Sequence, residues 1–200
     1  MRNCMVVDLD RCSGCDSCVA ACKHENEIPL GVYRNSVQVM GPYGTWPYIE
    51  QYWLPRQCQQ CENAPCVSVC PTGASYRDDK FGLVLIDADA CIGCQLCMTA
   101  CPYGARSFDE DRNIVEKCTG CIQRLEEGKE PACVHNCCCG ARYFGDLDDP
   151  ESDAAKAVAA AGEENCHQLS DPDGAQPRTI YILSAKTAEW RETMQASKAS

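Results

Sequence analysis

Two hundred residues suit one or two small domains, and 20 of them are cysteine, a density that marks either a disulfide-stapled or a metal-holding scaffold. The formal net charge of −11 excludes nucleic acid as a natural partner, because a phosphate backbone is gripped through Lys and Arg, and leaves a solvated surface or steering of a basic partner. A hydrophobic share of 45% that counts those cysteines is lean for a packed core, so something inorganic is expected to fill the interior.

In chain order, Val6 to Leu9 reads as a short strand, and no basic-then-apolar leader precedes it, so a signal peptide is not expected. The first cysteine set is Cys12, Cys15, Cys18 and Cys22, a C-x2-C-x2-C-x3-C run. Val37 to Met40 is a strand candidate that stops at the Gly41-Pro42 turn signal. The second set is Cys58, Cys61, Cys66 and Cys70, spaced C-x2-C-x4-C-x3-C and followed by Pro71. After a turn at Asp78-Asp79 comes a second strand candidate, Leu83 to Asp87. The third set, Cys91, Cys94, Cys97 and Cys101, repeats the spacing of the first and is followed by Pro102. The fourth is Cys118, Cys121, Cys133 and Cys137, with eleven residues between its second and third members. Residues 57–77, 90–107 and 135–144 echo one another, which marks a repeated module.

The residues 148–153 look like a helix start, Ala154 to Ala161 are good helix formers, and Gly162 ends the run. That helix is expected to cover or dock rather than to form a site. Thr179 to Leu183 reads as a strand, and the polar stretch from Ala185 to Ser200 as a frayed helix or a segment that orders on a partner. No apolar stretch approaches the ~20 residues that span a bilayer.

The C-x2-C-x2-C-x3-C-P spacing is that of bacterial [4Fe-4S] ligation, in which the fourth cysteine serves the other cluster of a pair. On a short helix, Cys18 and Cys22, or Cys97 and Cys101, lie one turn apart on one face, so one helix can touch two clusters. Disulfides are an alternative, but pairs two residues apart are too local to brace a fold. Structural zinc is another, and the second and fourth sets could be read so, although each triple run leaves a thiolate over. Cys4, Cys138, Cys139 and Cys166 are spare and read as inert thiols. His135 and Lys117 are candidates to hydrogen-bond a cluster sulfur or merely to satisfy a turn, as are His24 and His167. Trp46 and Trp53 read as core or interface.

Taken together, Val7 to Cys12, Ala21-Cys22-Lys23, Cys61 to Cys66 and Lys117 to Cys121 carry a resemblance. Over residues 3–183 the chain resembles the iron-sulfur electron-transfer (beta) subunit of the dimethyl sulfoxide/polysulfide reductase-type molybdopterin oxidoreductases. The resemblance implies an α+β fold of two ferredoxin-like modules, each holding a [4Fe-4S] pair and one inserted in the other, with a C-terminal helix/strand extension. Residues 1–50 and 111–147 would form module A from sets one and four, residues 51–110 module B from sets two and three, and residues 148–200 a docking extension.

It further implies four [4Fe-4S] clusters. Cys12, Cys15 and Cys18 would share one with Cys137, and Cys118, Cys121 and Cys133 one with Cys22. Cys58, Cys61 and Cys66 would share one with Cys101, and Cys91, Cys94 and Cys97 one with Cys70. Where the family places Pro after the last ligand this chain has Cys138, so Cys138 could replace Cys137. The implied partners are a large molybdopterin catalytic subunit and a quinol-linked membrane anchor, with no catalysis in this chain and no membrane span of its own. The location implied is a membrane-associated complex outside the cytoplasm, reached through a partner's export signal, with the cytoplasm as the alternative. Two other functions stay open: a free soluble polyferredoxin, and the beta subunit of a transhydroxylase-type molybdopterin enzyme, which the Pro131 to Cys137 stretch is similar to.

Overall fold

A computed structural model describes residues 2–193. Its elements, in order, are β1 (Asn3–Asp8), α1 (Ser17–Glu25), β2 (Asn35–Thr45), β3 (Tyr48–Gln57), α2 (Pro65–Ser68), β4 (Ser75–Arg77), β5 (Val84–Ile86), α3 (Leu96–Thr99), β6 (Arg106–Asp109), β7 (Ile114–Lys117), α4 (Ile122–Glu126), α5 (Ala132–His135), β8 (Arg142–Asp146), α6 (Asp153–Ala161), β9 (Cys166–His167) and β10 (Ile180–Ile182).

β1 is the centre of the one four-stranded sheet among the described residues, ordered β8-β1-β10-β9. Its two faces follow the period of two that a strand imposes. Met5 and Val7 join Leu9, Met40, Tyr52, Leu54, Tyr181 and Leu183 in one buried cluster, while Cys4 and Val6 join Ala154 and Ile182 in another, under α6. Three two-stranded ribbons complete the strands, β2-β3, β4-β5 and β6-β7. Ribbon β2-β3 runs through residue 50 and β6-β7 through residue 110, so each of the boundaries expected there falls inside a hairpin.

Helix α6 starts where the sequence signals place it. Ser152 is its N-cap, its hydroxyl accepting from Ala155 N at 3.1 Å, and Gly162 stops it with φ of 81°. β10 is not a peripheral strand. It lies parallel to β1, pairing Val6 with Ile180 and Asp8 with Ile182, and antiparallel to β9. The segment leading into it crosses the second cysteine loop: Glu62 N donates to Gln176 O at 2.8 Å, Asn63 N to Ala175 O at 3.0 Å and Arg178 N to Gln59 O at 3.0 Å. The Arg178 guanidinium adds an ion pair to Glu62 and a bond to Gly82 O at 3.0 Å. Residues 175–182 thus tie the second cysteine loop to the central sheet. Of the polar tail, residues 185–193 pack back on the core, Trp190 stacking on His167 at 4.9 Å, and 194–200 lie outside the described residues. No helix among the described residues is long and apolar enough to cross a membrane.

Candidate metal centres

All four cysteine loops turn at the residue before their second cysteine, where φ is positive: Gly14 at 67°, Gln60 at 50°, Gly93 at 66° and Gly120 at 67°. Glycine takes this conformation freely. At Gly14 a Cβ would collide with Trp53 Cδ1, so the indole packs directly on the loop backbone. Gln60 takes the same turn without being glycine because its side chain is held at both ends. Its Oε1 accepts from Val84 N at 2.7 Å and its Nε2 donates to Cys118 O at 3.2 Å.

For twelve of the thiols the turns bring fours to the walls of three cavities. Cys58, Cys61, Cys66 and Cys101 line one cavity with Tyr103 and Arg106. Cys70, Cys91, Cys94 and Cys97 line a second, also walled by Arg106. Cys22, Cys118, Cys121 and Cys133 line a third with Asn26, Arg34, Asn35 and Arg142. For the remaining set, burial pushes the Cys12 thiol up and the charges of neighbouring Cys18 and Cys137 push it further, while Cys15 Sγ lies 3.4 Å from Cys138 Sγ. Cys18 and Cys22 share α1, one on each of two quartets; α3 ends at Thr99, so Cys101 lies just beyond its helix.

The thiols resist ionising together. Burial, then the charges of Cys118, Cys133 and Cys121, push the Cys22 thiol up to about 12; burial, then Cys58, Cys66 and Cys101, do the same to Cys61. Neighbouring quartets also feel one another. Cys66 pushes up Cys97, Cys58 pushes up Cys118, and Cys18 pushes up Cys133. Direct links order the groups in one row: Arg106 walls both the Cys70/Cys91/Cys94/Cys97 and the Cys58/Cys61/Cys66/Cys101 cavities, Gln60 of the second loop donates to Cys118 O beside the Cys22/Cys118/Cys121/Cys133 cavity, and α1 carries Cys22 together with Cys18 of the first loop. Among these sixteen thiol residues only Cys94 and Cys15 are exposed, one in each end quartet.

Backbone amides point at several sulfurs: Ser75 N to Cys70 Sγ at 3.4 Å, Ala105 N to Cys101 Sγ at 3.5 Å and Ala141 N to Cys137 Sγ at 3.2 Å. Cys137 therefore repeats the environment of Cys70 and Cys101. Cys138 and Cys139 instead form an outer group with Ser13, whose Oγ is 3.1 Å from Cys139 Sγ. Cys4 is buried in β1 with Sγ donating to Arg178 O at 2.6 Å, and Cys166 is half-buried in β9.

Lys117 does not reach a sulfur. Its buried ammonium donates to the carbonyls of Val84 and Cys118, 2.7 Å from the latter. His24 and His135 are exposed and His167 stacks on Trp190; none of the three lines a cysteine cavity. Trp46 is exposed at the tip of β2-β3. Sequence reasoning did not single out Gln60, Asn26, Arg106 or Arg142. For the two arginines a signal existed, the Gly-Ala-Arg that follows the third set at Gly104 to Arg106 and the fourth at Gly140 to Arg142.

Soft thiolates in fours suit iron-sulfur clusters or zinc. The walls fit the larger, anionic group. Arg106 Nη1 and Arg142 Nη1 are buried without a partner, as is Asn35 Nδ2, and these are donors that inorganic sulfide would accept.

Comparison with known proteins decides between the two. The 4Fe-4S dicluster domain matches twice, over residues 49–147 and over residues 4–71. A protein of Halobacterium salinarum that carries the name of a dimethyl sulfoxide reductase iron-sulfur subunit is 45% identical over 89% of this chain and 78% of its own. A sulfite dehydrogenase subunit from Allochromatium vinosum is 40% identical over 92% of this chain and 83% of its own. A tetrathionate reductase subunit from Salmonella typhimurium is 38% identical over 90% and 72%. Two dicluster domains make four [4Fe-4S] clusters, and the chain belongs to the family of iron-sulfur electron-transfer subunits that serve such reductases without catalysing the reaction themselves.

Proposed function

We propose that this chain relays electrons along four clusters between a molybdopterin catalytic subunit and a quinol-linked membrane anchor. The observation that carries the reading is the single row of cysteine groups, whose two fully exposed members, Cys94 and Cys15, lie at its opposite ends. Each cluster, when bound, supplies a one-electron couple whose potential follows from charge, hydrogen bonds to sulfur and exposure. Cys12, Cys15, Cys18 and Cys137 hold one cluster, Cys22, Cys118, Cys121 and Cys133 the next, Cys58, Cys61, Cys66 and Cys101 the third, and Cys70, Cys91, Cys94 and Cys97 the last. In this arrangement the sets two and three form a module inserted between sets one and four. The protein's own part is to keep water from the two inner clusters and to leave Cys15 and Cys94 facing the donor and the acceptor. Ile92 and Leu96, exposed beside Cys94, give that end an apolar docking rim.

The partner assignment is supported by the relatives, whose names make them components of reductases and of a dehydrogenase. We propose in addition a membrane-associated complex outside the cytoplasm, reached through a partner's export signal, with the cytoplasm as the alternative. The test is anaerobic purification from the native host, followed by iron and sulfide assay. Expected are a large subunit that co-elutes and about sixteen irons per chain, four for each cluster. A chain that runs alone with its full iron would be a diffusing polyferredoxin, and this reading would be abandoned. Replacing Cys101 with Ser is expected to remove about four irons and to stop transfer between partners; loss of the Cys91/Cys94/Cys97 cluster instead would refute the grouping.

A further inference from the structure

Two buried arginines stand in the walls of the cysteine cavities, and the protein satisfies each only on one side. Arg106 opens β6 and is 8% exposed; Arg142 opens β8 and is 4% exposed. Arg106 stands in the walls of both the Cys58/Cys61/Cys66/Cys101 and the Cys70/Cys91/Cys94/Cys97 cavities. Its Nη2 donates to Ser75 Oγ at 2.8 Å, and its Nη1 has no partner. Arg142 walls the Cys22/Cys118/Cys121/Cys133 cavity, its Nη2 donating to Asn35 Oδ1 at 3.1 Å and its Nη1 unpartnered. The residue before it, Ala141, donates to Cys137 Sγ at 3.2 Å, as Ala105 before Arg106 donates to Cys101 Sγ at 3.5 Å, so each arginine follows directly on the contact to its set's last cysteine.

Neither guanidinium forms a salt bridge with a carboxylate among the described residues. A guanidinium does not deprotonate in a protein, and an isolated buried charge is too costly to persist unpaired. The remaining negative partners are the thiolates and the groups they hold. The two arginines occupy matching places, five residues after Cys101 and five after Cys137.

We propose that Arg106 and Arg142 each set the reduction potentials of two clusters at once, one fixed positive charge shared across a cluster pair. The proposal rests on the cluster reading above. One electron entering a cluster adds one negative charge to it, and a positive charge between two clusters favours the reduced form of both. The relay itself supplies that electron. Each module then behaves as a matched pair, its two members held up together, and Asn35 and Ser75 act as the residues that aim the shared charge.

The test is a redox titration of the anaerobically purified full chain, followed by the paramagnetic resonance of the reduced clusters, with iron and sulfide assayed on each sample. Arg106→Gln is expected to keep its iron and to lower the potentials of the two clusters of its own pair, leaving the other two unmoved. Arg142→Gln should do the converse. Arg106→Lys, which restores the charge, is expected to recover most of the shift. Unchanged potentials, a shift confined to one cluster, or a Lys variant as low as the Gln variant would each overturn the proposal. Should Arg106→Gln shed iron, Ser75→Ala carries the test: with iron complete, the same two potentials fall, and if they stay put the idea fails. A wild-type chain with far fewer than about sixteen irons would fault the cluster reading instead, a result read before any variant is made.

Discussion

Tyr181 is the residue through which the C-terminal strand grips both the central sheet and a cysteine loop. It is fully buried in β10 opposite Val7, packs near Trp190 with ring centroids 5.6 Å apart, and its hydroxyl accepts from Gln59 Nε2 at 3.2 Å. Gln59 in turn lines the cavity of Cys58, Cys61, Cys66 and Cys101. Replacing Tyr181 with Ala removes a whole buried ring and leaves a cavity, a change that costs about 3–5 kcal/mol. Replacing it with Phe removes one neutral hydrogen bond, while Gln59 Nε2 keeps Gln57 O at 2.9 Å, so the cost is about 1 kcal/mol. Since each 1.4 kcal/mol is about tenfold, native-state hydrogen exchange of the β1 amides should quicken by roughly two to three and a half orders of magnitude in Tyr181→Ala, and about fivefold in Tyr181→Phe. The Ala variant should also lose the neighbouring cluster to air first. Equal effects from the two variants, or β1 protection untouched by Ala, would refute the view that packing of β10 secures the sheet.

Three further outcomes follow from single residues. Cys137→Ser should lose about four irons while Cys138→Ser and Cys139→Ser keep about sixteen, measured by anaerobic iron and sulfide assay; iron loss from Cys138→Ser would move the ligand by one residue. The Cys4 thiol, pushed up to about 12 from 9.0 by burial, favours the folded state fully below pH 9, and this contribution fades as the pH rises toward 12. Denaturation midpoints of wild type and Cys4→Ala should therefore converge or cross as the pH is raised past 9, and parallel curves would show that Cys4 is not the titrating group. Ser152→Ala removes the α6 cap and the bond from Ser152 Oγ to Asp146 O at 2.6 Å, costing about 1–2 kcal/mol; exchange in the first turn of α6 should rise about tenfold, and no change there would deny the cap its role.

The cysteine runs were legible in sequence because cluster ligation is local: three thiols two residues apart announce one loop whatever the rest of the chain does. Helix α6 was legible for the same reason, its cap, formers and stop all lying within eleven residues. Which run lends its fourth thiol to which was open to spacing alone and came from the family likeness. The place of β10 was hidden, since a three-residue strand carries no trace of its partner 174 residues away, Val6 opposite Ile180. Gln60 was hidden because its turn is enforced by Val84 and Cys118, both distant in the chain. Arg106 and Arg142 were passed over because an arginine in isolation reads as surface; their repeated Gly-Ala-Arg setting was the one signal, and their burial beside the thiols gives it meaning.

The parallel seat of β10 beside β1 has a consequence for how the molecule is made. A strand from residues 3–8 waits for residues 180–182 before its second edge is covered, and the proposed cluster of Cys12, Cys15, Cys18 and Cys137 likewise spans most of the chain. The loops from Cys58 to Cys101, by contrast, leave the ribosome as one continuous stretch. Loading of the N-terminal cysteines with iron should thus be completed only once translation has delivered the strand that closes the sheet.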